Sequence, residues 1–250
     1  SSIMFRATID TKILQEAISS AKVLVDECKI RLDPDSFRIR AVDPANVGMV
    51  DLELSVSSFS SYESDGETIG VNLTRLSDII SIARSDEQIE FEYDEETSKL
   101  NIRAGGLKYT LALIDPESIR KEPTLPDLDL PAKVVLDGRS LAQGIKAADM
   151  VSDHIELGVD PEKETFYIRA KGDTDNVQLE LGRDELTEIQ VANAHSLFSL
   201  DYFKDMGKAI PKTTQVTLWL GEEYPIQISF PIADGAGEVT YLLAPRIQSD

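Results

Sequence analysis

Residues 115–131 read DPESIRKEPTLPDLDLP, and this stretch decides how the chain is divided. Proline locks φ and has no N–H to donate, so prolines at 116, 123, 126 and 131 exclude a helix interior or a central strand here. The segment predicts an extended, rather stiff linker between halves of similar length. It sets expected domains at 1–116 and 132–250, with a connector at 117–131.

Working outward from the linker, both halves give the same signals in the same order, the mark of an internal duplication. In the first half, residues 10–22 put Ile13, Leu14, Ala17, Ile18 and Ala21 on one helical face and Lys12, Gln15, Glu16, Ser19 and Lys22 on the other. Alternating apolar and polar runs at 29–32, 36–41 and 47–56 predict strands. Asn72 is placed to cap a second helix over 73–84, and strands return at 89–93, 99–104 and 107–114.

The second half predicts a strand at 133–136 and a helix over 139–151 with Leu141, Gly144, Ile145, Ala148 and Val151 in one stripe. Strands follow at 155–159, 165–170, 177–181 and 196–200, then a helix over 201–210 and strands at 215–220, 226–230 and 238–243. Arg38-Ile39-Arg40-Ala41 parallels Tyr167-Ile168-Arg169-Ala170, and Tyr109 to Leu113 parallels Val239 to Leu243, at offsets of 129 and 130. Strands in hairpin runs with few helices predict an α+β fold: two similar antiparallel-sheet domains, each with its helices on one face.

Composition narrows the function classes. A lone Cys28 forms no internal disulfide and has no metal-binding neighbours in sequence, so it reads as a small buried hydrophobe in a reducing compartment. No apolar run approaches the roughly 20 residues of a membrane span, which points to a cytoplasmic protein. The net charge of −20, from 45 acidic and 25 basic side chains, would by itself repel phosphate. An acid-rich surface also suits a salty cytoplasm, where a Debye length of about 3 Å at 1 M confines repulsion to near neighbours. The position of the few cations then matters most.

Catalytic parts are scarce. His154 and His195 are the only histidines, and no HExxH, GxSxG, P-loop or CxxC pattern occurs. No metal or cofactor is expected. Asp94-Glu95-Glu96 and Glu222-Glu223 could serve as the carboxylate pair of a glycosidase, but each falls between two strand patterns, where acidic residues make solvated turns. The predicted helices carry Lys12, Lys22, Arg75, Arg84, Arg139, Lys146, Lys204 and Lys208 against Glu16, Asp78, Asp149, Asp201 and Asp205. That surplus of positive charge, on a chain totalling −20, suits one surface meeting phosphate while the rest meets brine. The plain alternative is that Lys and Arg favour helices anyway.

Residues 24–54, LVDECKIRLDPDSFRIRAVDPANVGMVDLEL, resemble the early region of the proliferating cell nuclear antigen family, the sliding clamps of archaea and eukaryotes. Gly70-Val71-Asn72-Leu73, residues 111–116, ADMVSDH at 148–154, residues 202–210 and the terminal Leu243-Ala244-Pro245-Arg246-Ile247 extend the resemblance along essentially the whole chain. The acid-rich character points to an archaeal member from a salt-adapted organism.

The resemblance implies a ring of six domains, built by three copies of the chain, that encircles duplex DNA and tethers replication and repair enzymes without catalysis of its own. It implies a homotrimer, with one subunit of a heterotrimer as the alternative. The helices would line the hole, so the eight helix cations are the candidates to face DNA, while Asp78 and Ser81 stand where many relatives carry lysine. Subunits would join strand to strand, through 108–113 and 175–181, making Tyr109, Leu111, Leu113, Val177, Leu179 and Leu181 the interface candidates. Sequence alone leaves open that these are ordinary hairpin strands within one domain. Short motifs of the clamp loader, DNA polymerase, flap endonuclease and DNA ligase would dock in a hydrophobic pocket. Its implied lining is Val42, Asn46, Val47, Met49, Leu128, Leu130, Pro131, Pro225, Leu242, Ala244, Pro245 and Ile247.

Overall fold

A computed structural model describes residues 3–247. Backbone contacts divide the described residues into two units, the first holding residues 3–44, 49–124 and 231–239 and the second 45–48, 125–230 and 240–247. In chain order the first unit runs β1 (Ile3–Asp10), α1 (Thr11–Lys22), β2 (Glu27–Leu32), β3 (Ser36–Val42), β4 (Gly48–Ser55), β5 (Ser61–Ser64), β6 (Glu67–Asn72), α2 (Leu73–Ile82), β7 (Gln88–Asp94), β8 (Lys99–Ala104) and β9 (Leu107–Ala112). The second runs β10 (Ala132–Asp137), α3 (Gly138–Asp149), β11 (His154–Asp160), β12 (Thr165–Lys171), β13 (Asn176–Leu181), β14 (Glu188–Gln190), β15 (Ala194–Ser199), α4 (Leu200–Ala209), β16 (Gln215–Leu220), β17 (Ile226–Ile232) and β18 (Gly237–Leu243).

The two series are the same list of elements, and their pairings match. The first unit lays strands in the order β5-β1-β7-β8-β9 and β4-β3-β2-β6; the second repeats this as β14-β10-β16-β17-β18 and β13-β12-β11-β15. Both sequence parallels fall on equivalent strands, β3 with β12 and, apart from Leu113 just past its end, β9 with β18.

Register is fixed by burial. In β1 and β7 the partners Phe5↔Tyr93, Ala7↔Phe91 and Ile9↔Ile89 are all buried, as are Ala132↔Leu220, Val134↔Leu218 and Leu136↔Val216 in β10 and β16. A slip of one residue would turn each of these sets to solvent, so the apolar alternation specifies one pairing. Edge-on ring contacts tighten the first unit, with Phe5–Tyr62 centroids at 5.5 Å and Phe59–Tyr62 at 4.8 Å. Phe198 and Phe203 meet similarly at 5.5 Å in the second.

The helices pack in pairs, α1 with α2 and α3 with α4, and α3 lies across β10 to β13. It comes close because Gly144 has no Cβ: one built there would overlap the Ile168 side chain of β12. Asn72 caps α2, its side chain accepting from the Arg75 N–H at 3.0 Å, and Asp137 caps α3 through the Ser140 N–H at 2.7 Å.

Four strands go beyond the sequence expectation: β1, β5, β6 and β14. The helix expected over 73–84 stops at Ile82, because Ala83 turns extended at φ −68° and ψ 145°. Arg84 therefore lies in the loop that follows, not on the helix.

Candidate functional site: cationic helices, open sheet edges and docking residues

The apolar face of each helix is buried, which leaves its polar face outward. Lys12, Arg139 and Lys146 are exposed and enter no ion pair among the described residues. Arg75 donates to the Tyr109 hydroxyl at 3.3 Å, tying α2 to β9. On the second unit's helices, Lys204 meets Asp149 at 3.3 Å across α3 and α4, and Lys208 meets Asp205 at 3.8 Å. Such solvent-exposed pairs hold only a fraction of a kcal/mol, roughly 0.2–1, so these lysines are cheaply released to another anion. Two expected members stand apart from this row. Arg84 sits beyond the end of α2, 4.0 Å from Glu87, and Lys22 is half-buried beside a cavity at the end of α1.

Both strands expected at subunit junctions are sheet edges. Among the described residues β9 pairs only with β8, and β13 only with β12. Each presents a row of backbone N–H and C=O groups with no partner strand. Along them Tyr109, Val177 and Leu179 are half-buried, and Leu113, just past the end of β9, is too. Leu111 and Leu181 are 5% and 7% exposed, so they belong to the core of their own unit and not to a free interface.

Of the expected docking residues, Val42 and Met49 are register partners on β3 and β4 in the first unit. The others fall in the second unit, where the chain end is pinned: Ala244 N–H donates to the Val47 carbonyl at 3.0 Å and Arg246 N–H to the Leu197 carbonyl at 2.6 Å. Asn46 stands at φ 59°, a left-handed conformation that Asn tolerates better than most residues. Leu128, Pro225, Ala244 and Pro245 are half-buried, while Pro131 and Ile247 are exposed. Leu130 and Leu242, 7% and 8% exposed, pack inward and offer little surface to a ligand.

Sequence reasoning passed over Tyr224, which is 54% exposed beside Pro225 and Leu130 in the β16–β17 turn. Its signal was an aromatic residue in an otherwise charged turn. Cys28 is buried, and burial pushes its thiol up to about 12, so it stays protonated and unreactive as expected. Glu95 and Glu96 lie exposed in the β7–β8 turn after Asp94, the half-buried last residue of β7, and Glu222 and Glu223 lie exposed in the β16–β17 turn. Among the described residues no group of three or more metal-ligating side chains assembles, and no helix is long and apolar enough to cross a membrane.

Residues 4–105 match the N-terminal domain of proliferating cell nuclear antigen, and residues 124–246 match its C-terminal domain. The chain belongs to the proliferating cell nuclear antigen family. It is 60% identical over 247 residues to the DNA polymerase sliding clamps of Natronomonas pharaonis and Halobacterium salinarum, covering 99% of this chain and all of each relative. These are haloarchaea, in keeping with the acid-rich composition. Among solved clamps, the proliferating cell nuclear antigen of A. fulgidus, bound to the C-terminal region of FEN-1, is 37% identical with a TM-score of 0.94, covering 99% of this chain and all of that one. The one from Thermococcus kodakaraensis is 26% identical with a TM-score of 0.89, over 97% of this chain and all of that one.

Proposed function

We propose that this chain is a non-enzymatic DNA polymerase sliding clamp of the cytoplasm, acting as a homotrimeric ring around duplex DNA. Its two clamp domains are residues 1–116 and 132–250, joined by the connector 117–131. The observation that carries the reading is the pair of unpartnered edges, β9 on the first unit and β13 on the second, in a duplicated chain. Three copies pairing β9 to β13 close a ring and leave neither edge exposed. Tyr109, Leu113, Val177 and Leu179 fill that junction, with Leu111 and Leu181 supporting it from beneath.

In the ring, Lys12, Arg75, Arg139, Lys146, Lys204 and Lys208 face the phosphates, with Lys22 and Arg84 at the margins. Lysine and arginine contacts to phosphate carry no base information and weaken steeply as salt rises. With Asp78 and Ser81 on the same helix as Arg75, the grip is weak by design of the surface. Topology supplies the retention that charge does not, and weak contact lets the ring slide. Clamp loader, polymerase, flap endonuclease and ligase dock through short motifs at Val42, Asn46, Val47, Met49, Leu128, Pro131, Pro225, Ala244, Pro245 and Ile247, with Leu130 and Leu242 as the floor. The A. fulgidus protein bound to a FEN-1 segment supports that mode of docking.

The test is topological. Loaded onto a nicked DNA circle, the protein is expected to stay bound at high salt and to leave when the circle is cut once. Retention on the linear product, or no retention on the circle with a loader present, contradicts the encircling ring.

A further inference from the structure

We propose that a cavity in the first unit binds a lysine or arginine side chain carried by a segment of a partner protein. It has a volume of about 330 Å³ and is lined by Thr68 to Gly70 of β6, by Tyr93 and Ser98 on either side of the β7–β8 turn, and by Leu113 to Pro116. Every lining residue belongs to the first unit. The cavity forms where the chain leaves β9 and crosses to β6. Leu113 N–H donates to the Ser98 carbonyl at 3.4 Å and Ile114 N–H to the Gly70 carbonyl at 2.9 Å. Gly70 permits the crossing, since a Cβ there would overlap the Ile114 carbonyl oxygen.

An unpaired hydroxyl and the local charge point to a cationic guest. Tyr93 is 9% exposed, yet its hydroxyl makes no hydrogen bond among the described residues. A polar group so nearly buried and left unpaired is costly, and a guest that donates to it removes the cost. Burial, with the carboxylates of Glu67, Glu95 and Asp94, raises this phenol above the usual tyrosine range, so it stays neutral and its oxygen can accept. Segments 67–70, 93–98 and 113–117 hold six carboxylates, Glu67, Asp94, Glu95, Glu96, Asp115 and Glu117, and no cation. Adjoining cations are fewer. Lys99 opposes Asp94 in register, Lys29 and Arg31 oppose Gly70 and Thr68, and Lys121 shares a neighbouring groove with Thr68 and Pro116. Of these, Arg31 is already bound to Glu122 at 2.9 Å. Asp115, on the cavity wall, accepts from the Glu117 N–H through Oδ1 at 3.0 Å and keeps Oδ2 for another donor.

Half-buried Leu113, Ile114 and Pro116 form the apolar part of the wall. They suit the methylene stem of a long basic side chain, while its charged head reaches Asp115 and the Tyr93 hydroxyl. Leu113 also borders the proposed subunit junction, but its N–H is turned toward Ser98 and away from the free edge of β9. A partner segment is the carrier because the same crossing recurs in the second unit. There Arg246 N–H reaches the Leu197 carbonyl on β15, and the crossing chain supplies Ala244 and Pro245 to the proposed docking residues. The inference rests on that docking reading for the kind of carrier and on the first unit alone for the chemistry. Contact at this range survives in brine, because screening acts over about 3 Å at 1 M salt.

The experiment uses the full chain at a salt concentration where its native mass is established, with two fluorescent peptides of one sequence. One carries two lysines among leucines, and the other carries acetyl-lysine at the same places, which keeps the stem and removes the charge. The lysine peptide is expected to bind about tenfold more tightly. Asp115→Asn, which can still accept from the Glu117 N–H, should remove most of that preference, and Tyr93→Phe a smaller part. The two together should abolish it with the native mass unchanged. Glu162→Gln in the β11–β12 turn removes the same charge elsewhere and should change nothing. Equal binding of the two peptides, or a preference that survives the double variant, overturns the proposal. So does an equal loss in Glu162→Gln, which would mean that only the overall charge attracts. Binding by the Leu179→Glu variant as a monomer, but not by the wild type, also overturns it, because the cavity would then be a contact between copies. The peptides carry no motif for the second unit, so failure of such motifs to bind at Ala244 and Pro245 counts against the docking reading and leaves this test untouched.

Discussion

The helix pairs of the two units sit on the same scaffold but carry different charge. On the first, Lys12 and Arg75 face outward beside Asp78, with no ion pair between the helices. On the second, Arg139 and Lys146 stand free while Lys204 and Lys208 are paired to Asp149 and Asp205. The caps differ as well. Asn72 caps α2 but its counterpart Ser199 makes no side-chain bond to α4, and Asp137 caps α3 while Asp10 instead accepts from the Gln88 side chain at 3.0 Å. Duplication has preserved what the buried alternation enforces and left the surface free to diverge. A fold held by register and core needs neither matched caps nor matched charges.

The two open edges are where equivalence between units would be broken hardest. Tyr109→Glu on β9 or Leu179→Glu on β13 places a carboxylate in a closed apolar junction and is expected to turn trimer into monomer. Light scattering checks it, and each variant alone should suffice because every junction needs both strands. The charge comparison comes next. Lys146→Glu with Lys208→Glu removes two outward cations from the second unit and should cut DNA retention severalfold at low salt, with a flatter salt dependence and unchanged native mass. Lys12→Glu in the first unit should do less. The smallest effect separates the caps: Asn72→Ala is expected to lower unfolding stability by about 1 kcal/mol in denaturant titration, whereas Ser199→Ala should stay within a few tenths.

Much of this was legible in the sequence because apolar periodicity is written locally. Long strands and all four helices announce themselves, and the proline-rich stretch at 115–131 marks the join. Short strands are different. β5 (SYES) and β14 (EIQ) have almost no pattern of their own and exist because β1 and β10 offer them a ladder. β1 does alternate, with Phe5, Ala7 and Ile9 inward, and was open to detection.

The site was legible by class of residue more than by position. Alternation tells which side of a strand is apolar but not whether that side meets its own core or another chain, which is why Leu111 and Leu181 turn out to be core beside the half-buried Tyr109 and Leu179. The helix end at Ile82 removed Arg84 from its expected row, since nothing in the local composition forbids one more turn. The cavity at Tyr93 and Asp115 joins residues far apart in sequence, and no local signal reports it.

The proposed ring depends on closure of three chains through β9 and β13. Mass in solution tests it most directly, measured by light scattering at low and at multimolar salt. A particle of three times the 27.6 kDa of one chain, reduced to a single chain by Leu179→Glu, is the expected result. A wild-type particle of one chain at every salt concentration, or a trimer untouched by changes in both edge strands, contradicts it.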